Sequence, residues 1–203
     1  MSVNVLVIPM THEILDWFQH KRMLLPEADT AYTPEELAGS ATIRQKEGLL
    51  VSPAYFQIWI SAMLIKAASV YTFWNKDKTI CRLWIGDNFY REQLRYGNRS
   101  LEHALREMLD KYMKTTEDPE RPFFFGYLCS QHDEDQNAFC VLYAVPVRAA
   151  ALKKNAYITA RWMTVAELKK VYRKLDPWSK RIFDYIYEHP PVRKKLKLYQ
   201  KDV

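Results

Sequence analysis

Hydrophobic residues in this chain fall into short dense runs separated by polar stretches, and the runs predict interleaved strands and helices. Residues Asn4–Ile8 read as a short buried strand. Thr11 is placed to cap a helix through Ile14, Leu15 and Phe18, with Glu13 in its first turn. Residues 26–52 are polar and poor in strand signal, although Pro34–Gly39 looks like one helical turn closed by Gly39. The stretch Tyr55–Phe73 is dense in aromatic and β-branched residues and reads as one or two strands of a central sheet. A turn follows at Asn75–Lys78, then a strand over Thr79–Ile85, then a loop-like stretch from Asn88 to Arg99.

Ser100 opens the clearest helix. It is a natural N-cap, and Glu102 suits the positive end of the helix. Leu101, Leu105, Met108, Leu109 and Tyr112 recur at helical spacing and give it a buried stripe. Glu102 with Arg106, and Glu107 with Lys111, are i,i+4 pairs. Phe123–Cys129 and Ala138–Val147 are strands joined by a polar link, with Pro146 ending the second. Thr164 and Glu167 form a capping box, and Asp176-Pro177 starts a last helix carrying Trp178, Ile182, Phe183, Ile186 and Tyr187 on one side. Repeats and low-complexity inserts are absent from the sequence. The expected class is α/β (α+β), a mixed sheet packed between helices.

Composition narrows the reading. The 203 residues suit one domain, or one domain with a short appendage, and 48% hydrophobic with 27% charged residues argues against long disordered regions and coiled-coil rods. No run approaches the roughly 18 apolar residues of a membrane helix. The start lacks the cationic lead of a secretory signal, and the three cysteines show no CxxC spacing. The expectation is a cytoplasmic protein with reduced thiols and no membrane contact. Of the net charge of +6, the segment 191–203 carries +4 (Arg193, Lys194, Lys195, Lys197 and Lys201 against Asp202). A basic tail can touch nucleic acid or anionic lipid, but a solvated, frayed terminus is the plainer account, and no other nucleic-acid motif accompanies it. Only 5 glycines occur, about 2.5% where roughly 7% is usual, which argues against a glycine-rich phosphate loop.

Two stretches carry a family resemblance. Arg161-Trp-Met-Thr-Val-Ala-Glu-Leu, followed by Asp176-Pro-Trp-Ser-Lys-Arg-Ile, resembles the end of a Nudix hydrolase domain. Ser100-Leu-Glu-His-Ala-Leu-Arg-Glu-Met-Leu-Asp-Lys-Tyr-Met resembles the Nudix-box helix, whose core reads R-E-x-x-E-E-x-G. Val5-Leu-Val-Ile-Pro, Phe18-Gln19 and Ser52-Pro-Ala-Tyr-Phe-Gln are similar to a subgroup with an extra N-terminal segment. The resemblance implies an N-terminal extension over 1–52 packed on a Nudix-like domain over 53–190, with 191–203 as a basic tail. It also implies Arg106, Glu107 and Asp110 as catalytic residues, Glu107 and Asp110 as ligands of Mg²⁺, and a nucleotide-like small molecule as partner. Three carboxylates at i, i+3 and i+4 share a helix face and can hold Mg²⁺, which neutralises a diphosphate and activates water.

The box departs from that pattern. Asp110 stands for the second glutamate, Lys111 for the third, and Met113 for the closing glycine. Nearby, only Gly86 and Gly97 remain of the glycines that shape the preceding loop. Lys111 places a cation where the metal needs an anion. The expected function is therefore a Nudix-fold protein with a degenerate metal site, weak or inactive as a phosphohydrolase and serving as a nucleotide-binding or regulatory module. The alternative is an active Mg²⁺-dependent hydrolase of a nucleoside diphosphate linked to another moiety.

Other residues invite chemistry with plainer roles beside it. His132-Asp133-Glu134-Asp135 could add a base or a metal ligand, or be a polar hairpin link. Trp59, Trp84, Tyr90 and Trp162 could stack a nucleobase, or pack on the sheet. Cys81, Cys129 and Cys140 read as buried thiols.

Overall fold

The computed structural model describes residues 3–12, 14, 16, 24–30, 32–45, 54–115, 121–129, 138–153 and 158–198. It divides into two compact units: Met1–Ser61 with Gly86–Met108 and Phe124–Leu142, and Ala62–Ile85 with Leu109–Phe123 and Tyr143–Val203. The class is α+β, a mixed sheet accompanied by helices.

In the first unit, β1 (Asn4–Pro9) is flanked by β3 (Thr42–Gln45) and by the start of β4 (Tyr55–Lys66), both antiparallel to it. Val5, Leu6, Val7 and Ile8 are all buried, which is why an apolar run of this length is a strand and not a loop. All four residues of β3 are exposed, so its polar sequence carried no strand signal. β2 (Leu24–Pro26) is an equally silent strand, paired with β9 (Phe123–Cys129). Gly126 faces Pro26 there, and a Cβ on it would lie 2.5 Å from the Leu25 carbonyl oxygen, so only glycine lets the strands approach. The rings of Phe56, Phe139 and Tyr127 form the aromatic core of this unit.

Thr11 caps as expected, its Oγ1 accepting from the Ile14 N–H at 3.3 Å, while Glu13, Leu15 and Phe18 lie outside the described residues. Helix α1 (Pro34–Gly39) starts at a Thr33–Glu36 capping box. It does not close through a left-handed Gly39. Ser40 ends it in a right-handed conformation, with its hydroxyl donating to the Leu37 carbonyl at 2.8 Å.

In the second unit, β4 turns into β5 (Ser69–Asn75) through Ala67 and Ala68. β12 (Ile158–Thr164) pairs with the whole of β5, from Ile158 opposite Asn75 to Thr164 opposite Ser69. The single strand expected over Thr79–Ile85 is only β6 (Cys81–Arg82) in this unit, followed by β7 (Ile85–Asn88), which belongs to the first unit from Gly86 on. Between them the Leu83 N–H leaves the ladder and donates to the Ser179 hydroxyl at 2.9 Å. β8 (Met113–Thr115) and β11 (Ala150–Leu152) make a separate two-stranded sheet.

The Thr164–Glu167 box opens α3 (Val165–Lys170), and Asp176 caps α4 (Pro177–Glu188). Helix α4 buries Trp178, Ile182, Phe183 and Ile186, with Trp178 packed 5.0 Å from Trp84. Tyr187, expected on that face, is 41% exposed: it stacks on Phe183 and accepts from Lys169 Nζ at 2.8 Å. The chain then forms α5 (Pro190–Lys195), and Leu196 and Leu198 are buried, so the tail is packed at least that far and not frayed. Among the described residues, no helix is long and apolar enough to cross a membrane.

Candidate functional site

The box-like residues lie on α2 (Ser100–Tyr112). Its buried stripe is Leu101, Ala104, Leu105, Met108 and Leu109, and the polar face that remains carries Glu102, His103, Arg106, Glu107 and Asp110. The stretch before it, expected as loop, is a tight 3-10 turn over Arg91–Arg99, broken at Gly97. Gly97 has φ 55° and ψ −128°, a backbone state that residues with a Cβ rarely adopt. Ser100 is consequently not the N-cap; it is already helical, and its hydroxyl donates back to the Gly97 carbonyl at 2.7 Å.

A chain of hydrogen bonds runs from this turn onto the helix. Tyr90 donates its hydroxyl to Asp87 Oδ1 at 2.8 Å, and its N–H to Gln93 Oε1 at 2.9 Å. Gln93, only 8% exposed, donates Nε2 to Glu107 Oε2 at 2.8 Å. The other oxygen, Glu107 Oε1, lies 3.1 Å from His103 Nε2. The His103 ring is held against Tyr96 with centroids 3.5 Å apart. Both oxygens of Glu107 thus have side-chain partners, although its side chain is 44% exposed.

Arg106 pairs with Glu102 at 3.2 Å, the i,i+4 contact its spacing predicts. Asp110 is exposed one turn beyond Glu107 on the same helix, and its backbone carbonyl accepts from Lys153 Nζ. The Lys111 ammonium lies 4.9 Å from the centroid of the Tyr112 ring. Met113, where the resemblance has glycine, is buried and begins β8. Among the described residues, no three His, Cys, Asp or Glu side chains gather closely enough to hold a metal ion.

Sequence reasoning missed Asp87, Gln93 and His103 as partners of this region. Gln93 and Glu107 are fourteen positions apart, and no helical period links them. His103 sits at i−4 from Glu107, a spacing that could have been read. His132–Asp135 lies outside the described residues. Trp84 packs on Trp178, Trp162 lies 4.8 Å from Tyr71, and Tyr90 serves Asp87, so these three have structural employment. None of the three cysteines is in a disulfide, and all three are buried. Burial, and then the Asp176 carboxylate, push the Cys81 thiol up to about 12, and burial pushes Cys129 up as well.

No family model matches this chain, and no curated protein does. Solved structures do match. Tm1382, provisionally assigned as a Nudix hydrolase, superposes with a TM-score of 0.73 over 91% of this chain and 98% of its own, at 12% identity. A bifunctional NMN adenylyltransferase/ADP-ribose pyrophosphatase from Francisella tularensis, solved with AMP and a Mn ion, gives 0.46 at 9% identity, over 66% of this chain and 41% of that one. A protein described as a possible asymmetric diadenosine tetraphosphate hydrolase from Jonesia denitrificans DSM 20603 gives 0.46 at 13% identity, over 71% and 98%. The last two superpositions are too loose to argue from. The Tm1382 match, spanning nearly the whole of both chains, assigns the architecture: this chain has the Nudix fold.

Proposed function

We propose that this chain is a Nudix-fold protein whose box does not build a working metal site, so that it is weak or inactive as a phosphohydrolase and acts as a nucleotide-binding or regulatory module. The observation that carries this reading is the engagement of Glu107. Each Glu107 oxygen is already engaged once, by Gln93 and by His103, so a metal would compete with both for the one further lone pair that each oxygen keeps. Lys111, at the position of the third carboxylate, adds a repulsive charge. Glu107 and Asp110 beside the Lys111 ammonium are a poorer donor set for a divalent cation than three carboxylates would be. Residues 1–52 would form an extension packed on a 53–190 domain, joined to it where β1 pairs with the first residues of β4.

The second reading, an active Mg²⁺-dependent hydrolase of a nucleoside diphosphate linked to another moiety, is favoured by the partial exposure of Glu107 and the exposure of Asp110 one turn later. Mg²⁺ would there supply charge neutralisation and an activated water, with Glu107 and Asp110 as its protein ligands and Arg106 orienting them. Calorimetric titration with Mg²⁺ and Mn²⁺, repeated on Glu107→Gln, decides between the two. Absence of binding to the unaltered protein, with retained affinity for a nucleotide, agrees with the first reading. Metal binding that disappears in the variant, with turnover of a nucleoside diphosphate conjugate, sinks it.

A further inference from the structure

The second unit contains a cavity of about 360 Å³ that no residue of α2 lines. That volume falls in the roughly 300–1,000 Å³ range of small-molecule sites. Its charged wall residues are Lys66, Arg148, Lys195 and Lys197; among the described residues no carboxylate lines it. The remaining wall is apolar, including Ile65, Phe123 and Leu196.

The cavity lies between the β4–β5 turn, the segment Pro146–Arg148 and the end of α5. Ala67 (φ 30°) and Lys197 (φ 55°) line it in left-handed conformations, and Ala68 (φ 66°) follows in the same state. Ala67 and Ala68 are the two loop residues of the β4–β5 hairpin, and Lys197 follows the end of α5, so the turn and the helix end fix these states. Here the Ala68 N–H donates to the Lys197 carbonyl at 2.9 Å, and the Val147 N–H to the Ile65 carbonyl at 3.0 Å. The walls are therefore tied backbone to backbone before any ligand arrives, which lowers the ordering cost of binding. Two of the ammonium groups are also poised over rings, Lys195 Nζ 5.1 Å from the Phe123 centroid and Lys66 Nζ 6.0 Å from that of Trp162.

Like charges around one concavity repel one another, and an anion placed among them reduces that repulsion. A phosphate monoester, with nearly two negative charges at neutral pH, answers the lysine pair Lys66 and Lys197 better than a single carboxylate does. The apolar wall asks for an organic body on the same molecule. We infer that this cavity binds a small, soluble phosphate monoester with an aromatic or apolar body. The site is independent of the α2 box and of whether that box holds a metal.

The test uses the full chain and phenyl phosphate as probe, with inorganic phosphate and phenol as partial ligands. Amide shifts in a nitrogen–proton NMR titration should map to Ala67, Phe123, Val147 and Leu196. Phenyl phosphate should bind at least tenfold more tightly than inorganic phosphate, and more weakly as salt is raised. Arg148 and Lys195 carry interactions of their own, so the charge is removed at Lys66→Gln with Lys197→Gln, and affinity should fall at least tenfold. Shifts confined to other residues, no saturable binding, no advantage over inorganic phosphate, or a folded double variant that binds as before would each overturn the inference. The shift map on the unaltered protein decides the matter even if the double variant does not fold.

Discussion

Gln93 and Glu107 are joined by a 2.8 Å hydrogen bond that spans fourteen positions and fastens the 3-10 turn to the face of α2. Gln93 also accepts from the Tyr90 N–H, so a nearly buried amide is satisfied at both ends. Gln93→Ala leaves the Tyr90 N–H and one Glu107 oxygen without these partners. The expected loss is about 1–3 kcal/mol, read from urea denaturation midpoints at neutral pH. An unaltered midpoint would mean the link is not formed in solution.

Lys111→Glu restores the third carboxylate of the box. If the lysine is what keeps divalent cations away, Mn²⁺ affinity should rise at least tenfold, on the order of 1.4 kcal/mol, measured by calorimetry on the variant and on the unaltered chain. Unchanged affinity would remove Lys111 as the cause and leave the Gln93 and His103 contacts to Glu107 as the obstacle.

Gly97 separates the 3-10 turn from α2 with φ 55° and ψ −128°, and a Cβ there would meet nothing within 4 Å. Any penalty for Gly97→Ala is therefore backbone strain and not a clash. We expect a loss of about 1–3 kcal/mol, with the helix signal in circular dichroism retained. Stability equal to the unaltered protein would show that the turn relaxes into another conformation at no cost.

What the sequence made legible follows from where its signals are local. Asn4–Ile8, Tyr55–Phe73 and the α2 stripe were readable because burial alone sets their patterns. The Thr164–Glu167 and Asp176 caps were readable because the residues that make them lie within three positions of one another. β2 and β3 were not, since three residues or an exposed tetrad hold no period; their strand state comes from partners, β9 and β1. Of the candidate site, Arg106 with Glu102 was legible at i,i+4. The fastening of Glu107 by Gln93 was not, because it depends on how a turn folds back before the helix.

The cysteines give a chemical test of the cores. Cys81, Cys129 and Cys140 are buried, and burial raises the thiols of Cys81 and Cys129 above their ordinary range. The thiolate is the reactive species, so little of it exists at pH 8. A disulfide reagent should label none of the three in the native protein over minutes and all three in urea. Rapid labelling of one thiol in the native state would show that its part of the core opens.

Glu167 provides a pH test with a defined sign. The Thr164 N–H at 2.7 Å, and then its hydroxyl at 2.9 Å, hold the Glu167 carboxyl below its ordinary value of 4.5. A depressed folded-state pKa means the carboxylate favours the fold at any pH above the unfolded value. That contribution is lost as pH falls through 4.5 toward the lower folded-state value. Glu167→Gln keeps an acceptor for the capping box but removes the charge. The unaltered protein should therefore be the more stable of the two at pH 7, and the gap should close as the solution is acidified below 4.5. A gap independent of pH would assign the stabilisation to hydrogen bonding alone and reject the carboxylate's role.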